Sequence, residues 1–260
     1  MESTEEKAKQ IFGSRASMYT TSAAHADAGV LARIVELARP QPEWNALDIA
    51  TGSGHTAIAI SRHVKLVAAT DLTREMIGEA KRLCEAQAVS NLEFCLADAH
   101  RLPFPGNSFD LVTCRRAAHH FSNITGALDE MKRLLKPGAR LVIDDRSVPE
   151  DDFVDGCMNA LDRYHDNSHV RQYRPSEWKP MLEAVGFEVD DVEPYEKHRP
   201  LTSLTDRVPP ADLRMIEETL SRLSPRERAL LRLMDVGGEP YINHWYVMIA
   251  ARRADKIKPA

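Results

Sequence analysis

Carboxylates and a glycine-rich turn stand at the ends of three consecutive apolar segments of this sequence. The segment 46–50 contains Asp48 and leads into the turn Thr51-Gly52-Ser53-Gly54, while Asp71 and Asp98 end the next two segments. Glycines let the backbone approach a ligand closely, and free N–H groups at a helix N-terminus attract polar ligand groups. Asp71 can accept the hydroxyl protons of a ribose, and Asp98 can accept from an adenine amino group. These residues predict a binding site for a cofactor that contains a nucleoside.

Two cofactors compete for this site. The run Gly52-Ser53-Gly54-His55-Thr56-Ala57 fits the G-x-G-x-x-A pattern of NAD-binding proteins, with Asp71 as the ribose acid. The other candidate is S-adenosylmethionine, and Asp48 favours it, because a carboxylate inside a strand needs a cationic or hydrogen-bonding partner. An α-amino group and a sulfonium supply positive charge there, whereas a pyrophosphate would be repelled.

A second set of reactive side chains occupies the run Arg115-Arg116-Ala117-Ala118-His119-His120-Phe121. Histidine titrates near neutrality, so His119 is the first candidate and His120 the second for a base that deprotonates an acceptor molecule. Arg115 can hold an anion or an oxygen of that acceptor. The alternative is that both histidines pack against the next helix, because an acceptor that is already ionised needs no base.

The elements that position these residues follow from the apolar pattern. Five apolar segments alternate with amphipathic helices across residues 46–145, which implies an α/β fold with a parallel sheet covered on both faces. Thr73 is the predicted N-cap of the second helix, and Lys136-Pro137-Gly138 ends the third. The predicted strands are 46–50, 65–70, 92–97, 109–114 and 141–143.

The C-terminal part predicts helices at 152–165 and 176–185 and a later pair of strands at 187–195 and 241–251. Between those strands lies a mostly helical insertion, 199–240, whose last helix ends at Gly237-Gly238. An insertion of that size in a compact domain is typical of a cover over a binding site. The polar stretch 163–171 either lines an acceptor pocket or is a solvated loop, and Asp144 and Asp145 receive no catalytic role.

Three parts make up the predicted organisation of the chain. An N-terminal helical segment over the cofactor site is irregular at its start, up to about residue 20, and helical over 23–38. A cofactor-binding core follows, and the remainder completes the same domain. The three parts are residues 1–40, 41–150 and 151–260.

Composition bounds the class of protein. The 260 residues carry a net charge of 34 − 39 = −5, and this acidic balance disfavours nucleic acid as a partner. No apolar run approaches the ~20 residues that a membrane-spanning helix needs, and the polar start MESTEEKAKQ is no secretory signal. The cysteines lack metal-binding spacing and predict reduced thiols in a cytoplasmic protein without a metal site. They are Cys84, Cys95, Cys114 and Cys157.

Residues 46–146 resemble a class I S-adenosylmethionine-dependent methyltransferase of the ubiquinone/menaquinone-biosynthesis C-methyltransferase-like group, which carries the methyltransferase type 11 domain. The family fold is a Rossmann-like sheet of seven mostly parallel strands, the last antiparallel, with helices on both faces. In this chain the helical cap is inserted between the last two strands. The matching segments are LDIATGSG at 47–54, TDLTREMIGEAK at 70–81, ADAHRLPFPGNSFDLVTCR at 97–115, AAHHF at 117–121 and RLLKPGARLVI at 133–143.

The resemblance implies S-adenosylmethionine as cofactor, S-adenosylhomocysteine as product, and a role for each matching residue. The first strand and its turn would hold the methionine part, the second strand end the ribose, and the third strand end the adenine. The family pattern begins acid-x-G-x-G-x-G, and Ala50 replaces its first glycine, which a negative φ would allow. The implied cofactor-binding residues are Tyr19, Asp48, Ala50, Thr51, Gly52, Ser53, Gly54, Asp71, Leu72, Asp98, Ala99, Cys114 and Arg115.

The leading functional hypothesis is methyl transfer to carbon or oxygen of a small organic molecule, such as a quinone-like acceptor. The Asx-Pro-Pro-aromatic motif of DNA and protein amide methyltransferases does not follow the fourth strand, which favours a small substrate over nucleic acid. Two alternatives stay open: an NAD-dependent oxidoreductase that uses the same glycine turn, and a non-catalytic protein that binds S-adenosylmethionine. The sequence does not indicate an oligomeric state.

Overall fold

The computed structural model describes residues 2–254, which fold as a central sheet with helices packed around it. The strands are β1 (Asn45–Ile49), β2 (Leu66–Asp71), β3 (Leu92–Leu96), β4 (Phe109–Arg115), β5 (Leu135–Ser147), β6 (Phe187–Pro200), β7 (Met234–Val236) and β8 (Glu239–Arg253). The longer helices are α1 (Thr4–Thr21), α2 (Ala28–Ala38), α3 (His55–Ser61), α4 (Arg74–Ala86), α5 (Ile124–Leu134), α6 (Asp152–His165) and α7 (Pro175–Val185). The insertion between β6 and β8 carries α8 (Thr202–Thr205), α9 (Pro210–Ser221) and α10 (Pro225–Leu230).

The sheet has the strand order β3-β2-β1-β4-β5-β8-β6, and its first five strands are parallel. The last strand, β8, runs antiparallel to both β5 and β6. The predicted α/β class, the late strand pair and the antiparallel last strand are therefore confirmed. The order reverses between β1 and β4, and ligands of open α/β sheets bind at the carboxyl ends of the strands beside such a reversal.

Two apolar layers cover the sheet. One contains the buried residues of α2 and α3, among them Ile34 and Ile60, against Val67 and Leu111. The other contains α5 and α7, with Trp178 fully buried. Buried strands with helices on both sides form a rigid base, so the loops at the carboxyl edge are held in fixed positions.

The N-terminal residues are more ordered than the sequence predicts. The expectation of an irregular start up to about residue 20 is wrong, because α1 begins after Ser3, whose side chain and that of Glu6 form a capping box. The predicted helix 23–38 begins later, at Ala28, because the Asp27 side chain accepts hydrogen bonds from the first backbone N–H groups of α2.

Two turn predictions in the C-terminal half also need correction. Gly237-Gly238 does not end a helix: α10 ends at Leu230, and the two glycines, with φ of 66° and 89°, form the turn of the β7–β8 hairpin. Two consecutive positive φ angles are what a tight hairpin turn requires. Residues 136–138 were predicted to end the helix that precedes them. They do follow α5, but β5 already starts at Leu135, so they form an irregularity within that strand.

Candidate active site

A cavity opens at the carboxyl ends of β1, β2 and β4, below α1. We call it the first cavity. The sequence-predicted residues meet here, since most of them lie on the loops that follow these strands. Its lining residues are Glu5, Ala8, Phe12, Tyr19, His25, Asp48, Ala50, Thr51, Gly52, Ser53, His55, Thr56, Asp71, Leu72, Thr73, Met76, Ala97, Asp98, Ala99, His100, Arg115, Arg116, Ala117, His120 and Phe121.

The loop after β1 winds tightly, with φ of 52° at Ala50, 55° at Gly52 and 88° at Gly54. The negative φ expected for Ala50 is wrong. A left-handed conformation costs a non-glycine residue roughly 1–2 kcal/mol, so the loop is strained at this position. At Gly54 a side chain would also meet the Ala80 Cβ at 3.1 Å, because the loop passes close to α4. Thr51, Gly52 and Ser53 of this loop line the first cavity.

Asp48 lies in β1 and is 1% exposed. The hydroxyl groups of Thr51 and Thr113 each donate to one of its carboxylate oxygens at 2.6 Å. Burial raises the pKa of Asp48 to about 6, and these two hydrogen bonds oppose the shift. Asp48 is thus a buried acid whose charge a cation in the cavity would stabilise.

Asp71 ends β2 and ties the glycine loop to the start of α4. Its carboxylate accepts the backbone N–H of Gly52 at 2.9 Å and both the N–H and the hydroxyl of Thr73 at 2.9 Å. Thr73 occupies the predicted N-cap position, but its hydroxyl bonds Asp71 rather than the helix. Burial raises the pKa of Asp71, and the backbone donors oppose that shift. A carboxylate has about four acceptor positions and three of them are used here, so Asp71 keeps about one for a ligand hydroxyl.

The loop after β3 contributes Asp98 and Ala99 to the lining of the first cavity, and the loop after β2 contributes Leu72. One oxygen of Asp98 accepts the backbone N–H of His100 at 2.9 Å and contacts its ring Nδ1 at 2.7 Å. That contact fixes the carboxylate at the cavity rim, where the side chain remains 39% exposed.

Arg115 ends β4 and reaches into the cavity. Its Nε donates to the Thr56 hydroxyl at 2.7 Å, and its Nη2 donates to the backbone oxygen of His25 at 2.8 Å. Its Nη1 is buried and has no hydrogen-bond partner within residues 2–254. Cys114, its neighbour in β4, instead packs in the core and is absent from the described cavity wall, because successive side chains of a strand face opposite sides.

The second cavity adjoins the first beside α6 and α8 and shares Phe12, Tyr19, His25, Arg116 and His120 with it. Part of the polar stretch 163–171 lines it, so those residues are not merely a solvated loop. Its lining residues are Phe12, Tyr19, His25, Arg116, His119, His120, Arg146, Asp162, His165, Asp166, His169, Arg199, Ser203 and Tyr246.

His119 is held by Asp145 in the wall of the second cavity. The His119 Nδ1 lies 2.6 Å from one carboxylate oxygen of Asp145, and the His119 backbone N–H donates to the other at 2.8 Å. Burial lowers the pKa of His119 well below 6.5 and raises the pKa of Asp145 to about 7. His119 is therefore neutral, and with Asp145 ionised its Nδ1 proton is donated, which leaves Nε2 as a proton acceptor.

His120 stands where the two cavities meet. Its ring packs edge-on against Phe12, with centroids 4.9 Å apart, and its Nδ1 lies 3.1 Å from the Ser168 hydroxyl. The rings of His119 and His120 are neighbours, with centroids 4.0 Å apart. Of these two rings, only that of His119 has a carboxylate partner within residues 2–254.

Three parts of the site escape sequence reasoning. The α1 residues Glu5, Ala8 and Phe12 line the first cavity, although the sequence offers no motif there. Asp145 receives no catalytic role from the sequence, although its place near the end of the buried strand β5 is a signal that could have identified it. Thr113 is the second hydroxyl partner of Asp48. The pairing of β4 with β1, which places it directly beside Asp48, is the signal that could have identified it.

Residues 2–254 contain no cluster of three or more acidic, histidine or cysteine side chains that could hold a metal ion. Within the same range, none of the helices has the length and apolar character needed to cross a membrane.

The sheet order, with β8 antiparallel between β5 and β6, and the acid-lined cavity at the strand ends define a class I S-adenosylmethionine-dependent methyltransferase. Residues 47–143 match the methyltransferase domain family. An uncharacterised methyltransferase of Bacillus subtilis, YcgJ, is 38% identical over 184 residues, which cover 71% of this chain and 73% of the relative. The chain therefore belongs to this methyltransferase family.

Other comparisons agree. The crystal structure of YcgJ superposes with a TM-score of 0.80 at 32% identity and covers 87% of this chain and 98% of its own. A methyltransferase-like structure from Bacillus halodurans gives a TM-score of 0.81 at 30% identity, covering 86% of this chain and 98% of its own. The ubiquinone/menaquinone biosynthesis C-methyltransferase UbiE of Pseudomonas putida is 35% identical over 130 residues, which cover 48% of this chain and 51% of UbiE.

Proposed function

We propose that the protein transfers a methyl group from S-adenosylmethionine to a carbon or oxygen atom of a small organic acceptor. The observation that carries this proposal is the pair of joined cavities. The first has the acids and glycine loop that suit the cofactor, and the second has the His119–Asp145 pair that suits an acceptor. The two cavities share His120 and Arg116, so groups bound on either side would meet there.

The residues of the first cavity fit S-adenosylmethionine chemically. The buried, unpaired Nη1 of Arg115 suits the methionine carboxylate, and the buried carboxylate of Asp48 suits the positive charge of the methionine part. Asp71 has about one acceptor position left for a ribose hydroxyl, and Asp98 suits the adenine amino group. When bound, the cofactor supplies an electrophilic methyl group on a positively charged sulfur. We further propose that α1, with Tyr19, covers it.

The second cavity supplies a base and keeps water away from the transfer. Bound S-adenosylmethionine would supply the methyl group, and its sulfur would leave as a neutral thioether that keeps the electron pair of the broken bond. Nε2 of His119 would take the acceptor proton, and the Asp145 carboxylate would stabilise the resulting imidazolium. Ser203 of α8 and Arg199 of β6 also line the second cavity, and we propose that this part of the helical cap covers the acceptor.

The similarity to UbiE supports a hydroxyaromatic or quinol acceptor, since that relative is named for ubiquinone and menaquinone biosynthesis. Such acceptors carry an acidic hydroxyl whose deprotonation makes the ring carbon and the oxygen nucleophilic. The proposal therefore includes both carbon and oxygen products. A cytoplasmic location stays a prediction.

The test is an acceptor screen with isotopically labelled S-adenosylmethionine. We expect labelled methyl in a hydroxyaromatic or quinol product together with stoichiometric S-adenosylhomocysteine, both read by mass spectrometry. Calorimetry with the cofactor alone runs in parallel. Tight cofactor binding without transfer to any small acceptor would contradict the proposed activity and favour the non-catalytic alternative.

The pH dependence of cofactor binding tests the role of Asp48. The pKa of Asp48 is raised to about 6, so the carboxylate is ionised above that pH and loses its charge as the pH falls through it. We therefore expect the affinity for S-adenosylmethionine to decrease below about pH 6. Calorimetry from pH 5 to 8 measures this affinity, and we expect the affinity of Asp48→Asn to depend less on pH. An unchanged pH dependence in Asp48→Asn would mean that the Asp48 carboxylate does not stabilise the positive charge of the cofactor.

A further inference from the structure

Three arginines surround the ring of Tyr246 in the second cavity. The guanidinium carbons of Arg116, Arg146 and Arg199 lie 4.8 Å, 5.7 Å and 5.7 Å from the ring centroid. They come from three separate segments: the residue after β4, the strand β5 and the end of β6. All three line the second cavity, so the chain brings three positive charges together beside the proposed acceptor site.

Several donors of this arginine cluster are buried without a partner. Nε and Nη2 of Arg116, Nε of Arg146 and Nε of Arg199 have no hydrogen-bond acceptor within residues 2–254. Only 8% of the Arg116 side chain is exposed, so water does not substitute freely for a partner. A buried unsatisfied donor is costly and uncommon in folded proteins, which marks these atoms as prepared for a ligand.

The acidic groups around the cluster do not satisfy it. Asp162 accepts from Nη2 of Arg146 at 2.7 Å, which leaves the Nε of that arginine unpaired. Asp144 lies 3.7 Å from Nε of Arg116, beyond hydrogen-bond distance, and its other oxygen accepts the Tyr195 hydroxyl at 2.7 Å.

Asp166, the remaining acid in the wall, accepts the Ser168 hydroxyl at 2.6 Å. Arg199 has no carboxylate within ion-pair distance in the described part of the chain, so its charge is available to a ligand.

We infer that the acceptor carries an oxyanion, a carboxylate or a phosphate, which binds between Arg116 and Arg199 beside Tyr246. This inference rests on the proposed function, because it assigns the second cavity to the methyl acceptor. Guanidinium groups present paired donors that match the oxygens of either anion. Arg116 borders both cavities, so an acceptor anchored there extends past His120 toward the cofactor.

The test compares small probes on the protein saturated with S-adenosylhomocysteine. Benzoate and phenyl phosphate carry the two oxyanions on an aromatic ring, and benzamide is the neutral counterpart of benzoate. We expect calorimetry to show at least about tenfold tighter binding of an anionic probe than of benzamide, as a charge-assisted hydrogen bond provides. Whichever of benzoate and phenyl phosphate binds more tightly shows whether the acceptor carries a carboxylate or a phosphate.

Arg199→Gln should abolish this preference, and Arg199→Lys should retain part of it because it keeps the charge but not the paired donors. Arg214→Gln makes the same charge change at an exposed position of α9 and should behave like the wild type. Binding of S-adenosylhomocysteine by each variant shows that it folds and tests the cofactor site separately.

Equal binding of anionic and neutral probes by the wild type, absence of anion binding, or a preference that survives in Arg199→Gln would each overturn the inference. Failure of the wild type to bind S-adenosylhomocysteine would instead count against the proposed function.

Discussion

Replacing His119 with alanine is expected to lower the rate of methyl transfer at least about 10²-fold on an acceptor that arrives protonated. The reason is that the structure leaves Nε2 of His119 as the proton acceptor, with Nδ1 held by Asp145 at 2.6 Å. Single-turnover kinetics measure the loss directly. The affinity for S-adenosylhomocysteine should be unchanged, because His119 lies in the wall of the second cavity.

The pH–rate profile separates a base from a packing residue. When the His119–Asp145 pair takes up a proton, Nε2 of His119 can no longer accept one. The protonated Asp145 then donates to Nδ1, and the proton of the imidazole ring lies on Nε2. The raised pKa of Asp145, about 7, therefore places the acidic limb near neutrality, with activity lost as the pH falls through it. His119→Ala should show a low rate without this limb.

Three variants complete the experiment. His63→Ala removes an exposed histidine and should leave the rate unchanged. Asp145→Asn keeps the size of the side chain but provides only one acceptor for the two hydrogen bonds it receives from His119, so its rate should also fall. An identical profile in wild type and His119→Ala, with a large loss in His120→Ala, would move the base to His120.

Replacing Asp71 with alanine is expected to weaken S-adenosylhomocysteine binding about tenfold or more. The ribose hydroxyls lose a charged acceptor, and hydrogen bonds to charged groups contribute roughly 1.5–3 kcal/mol each. The loop also loses the carboxylate that accepts the Gly52 N–H at 2.9 Å. Calorimetry gives the dissociation constants.

Two further variants separate these contributions. Asp71→Asn keeps one acceptor oxygen and should fall between wild type and Asp71→Ala, while Asp129→Asn removes an exposed acid and should bind normally. Thermal melting without ligand shows whether the loop alone has been destabilised. Wild-type affinity in Asp71→Ala would contradict the placement of the ribose.

The fold was predictable where burial dictates the pattern. The five parallel strands are mostly apolar runs, because helices cover both faces of the sheet. The strand pair of β6 and β8 was equally evident from the aromatic and apolar run around Tyr246. Residues 2–254 form eight strands where seven were expected, because the short β7 pairs with β8 across Gly237-Gly238.

Elements held by small or polar residues were not predictable. The helix α1 has a polar sequence and two buried side chains, Ala8 and Ala16, so it lacks the apolar stripe that normally reveals a helix. The positive φ of Ala50 is likewise not expressed by sequence spacing.

Within the site, residues on strand ends could be predicted and their partners could not. Asp48 and Asp71 stand out as acids in apolar segments, and His119 as a titratable group after a strand. The contact of His119 with Asp145 depends on the pairing of β4 with β5, which brings residues 26 positions apart within hydrogen-bond distance. The arginine cluster around Tyr246 likewise draws on three strands and has no local motif.

The way α1 is attached to the rest of the chain is expected to govern release of the spent cofactor. Its residues Glu5, Ala8, Phe12 and Tyr19 form part of the first cavity wall, yet its two buried side chains are both alanines. Detaching α1 would break its contacts with α4 and the hydrogen bond from Thr20 to Glu79 but leave the core of the sheet intact, so we expect local opening to require less free energy than unfolding the sheet. The residence time of S-adenosylhomocysteine should therefore follow the opening rate of α1. With an acceptor that reacts fast, we expect the turnover rate to be limited by release of S-adenosylhomocysteine rather than by methyl transfer.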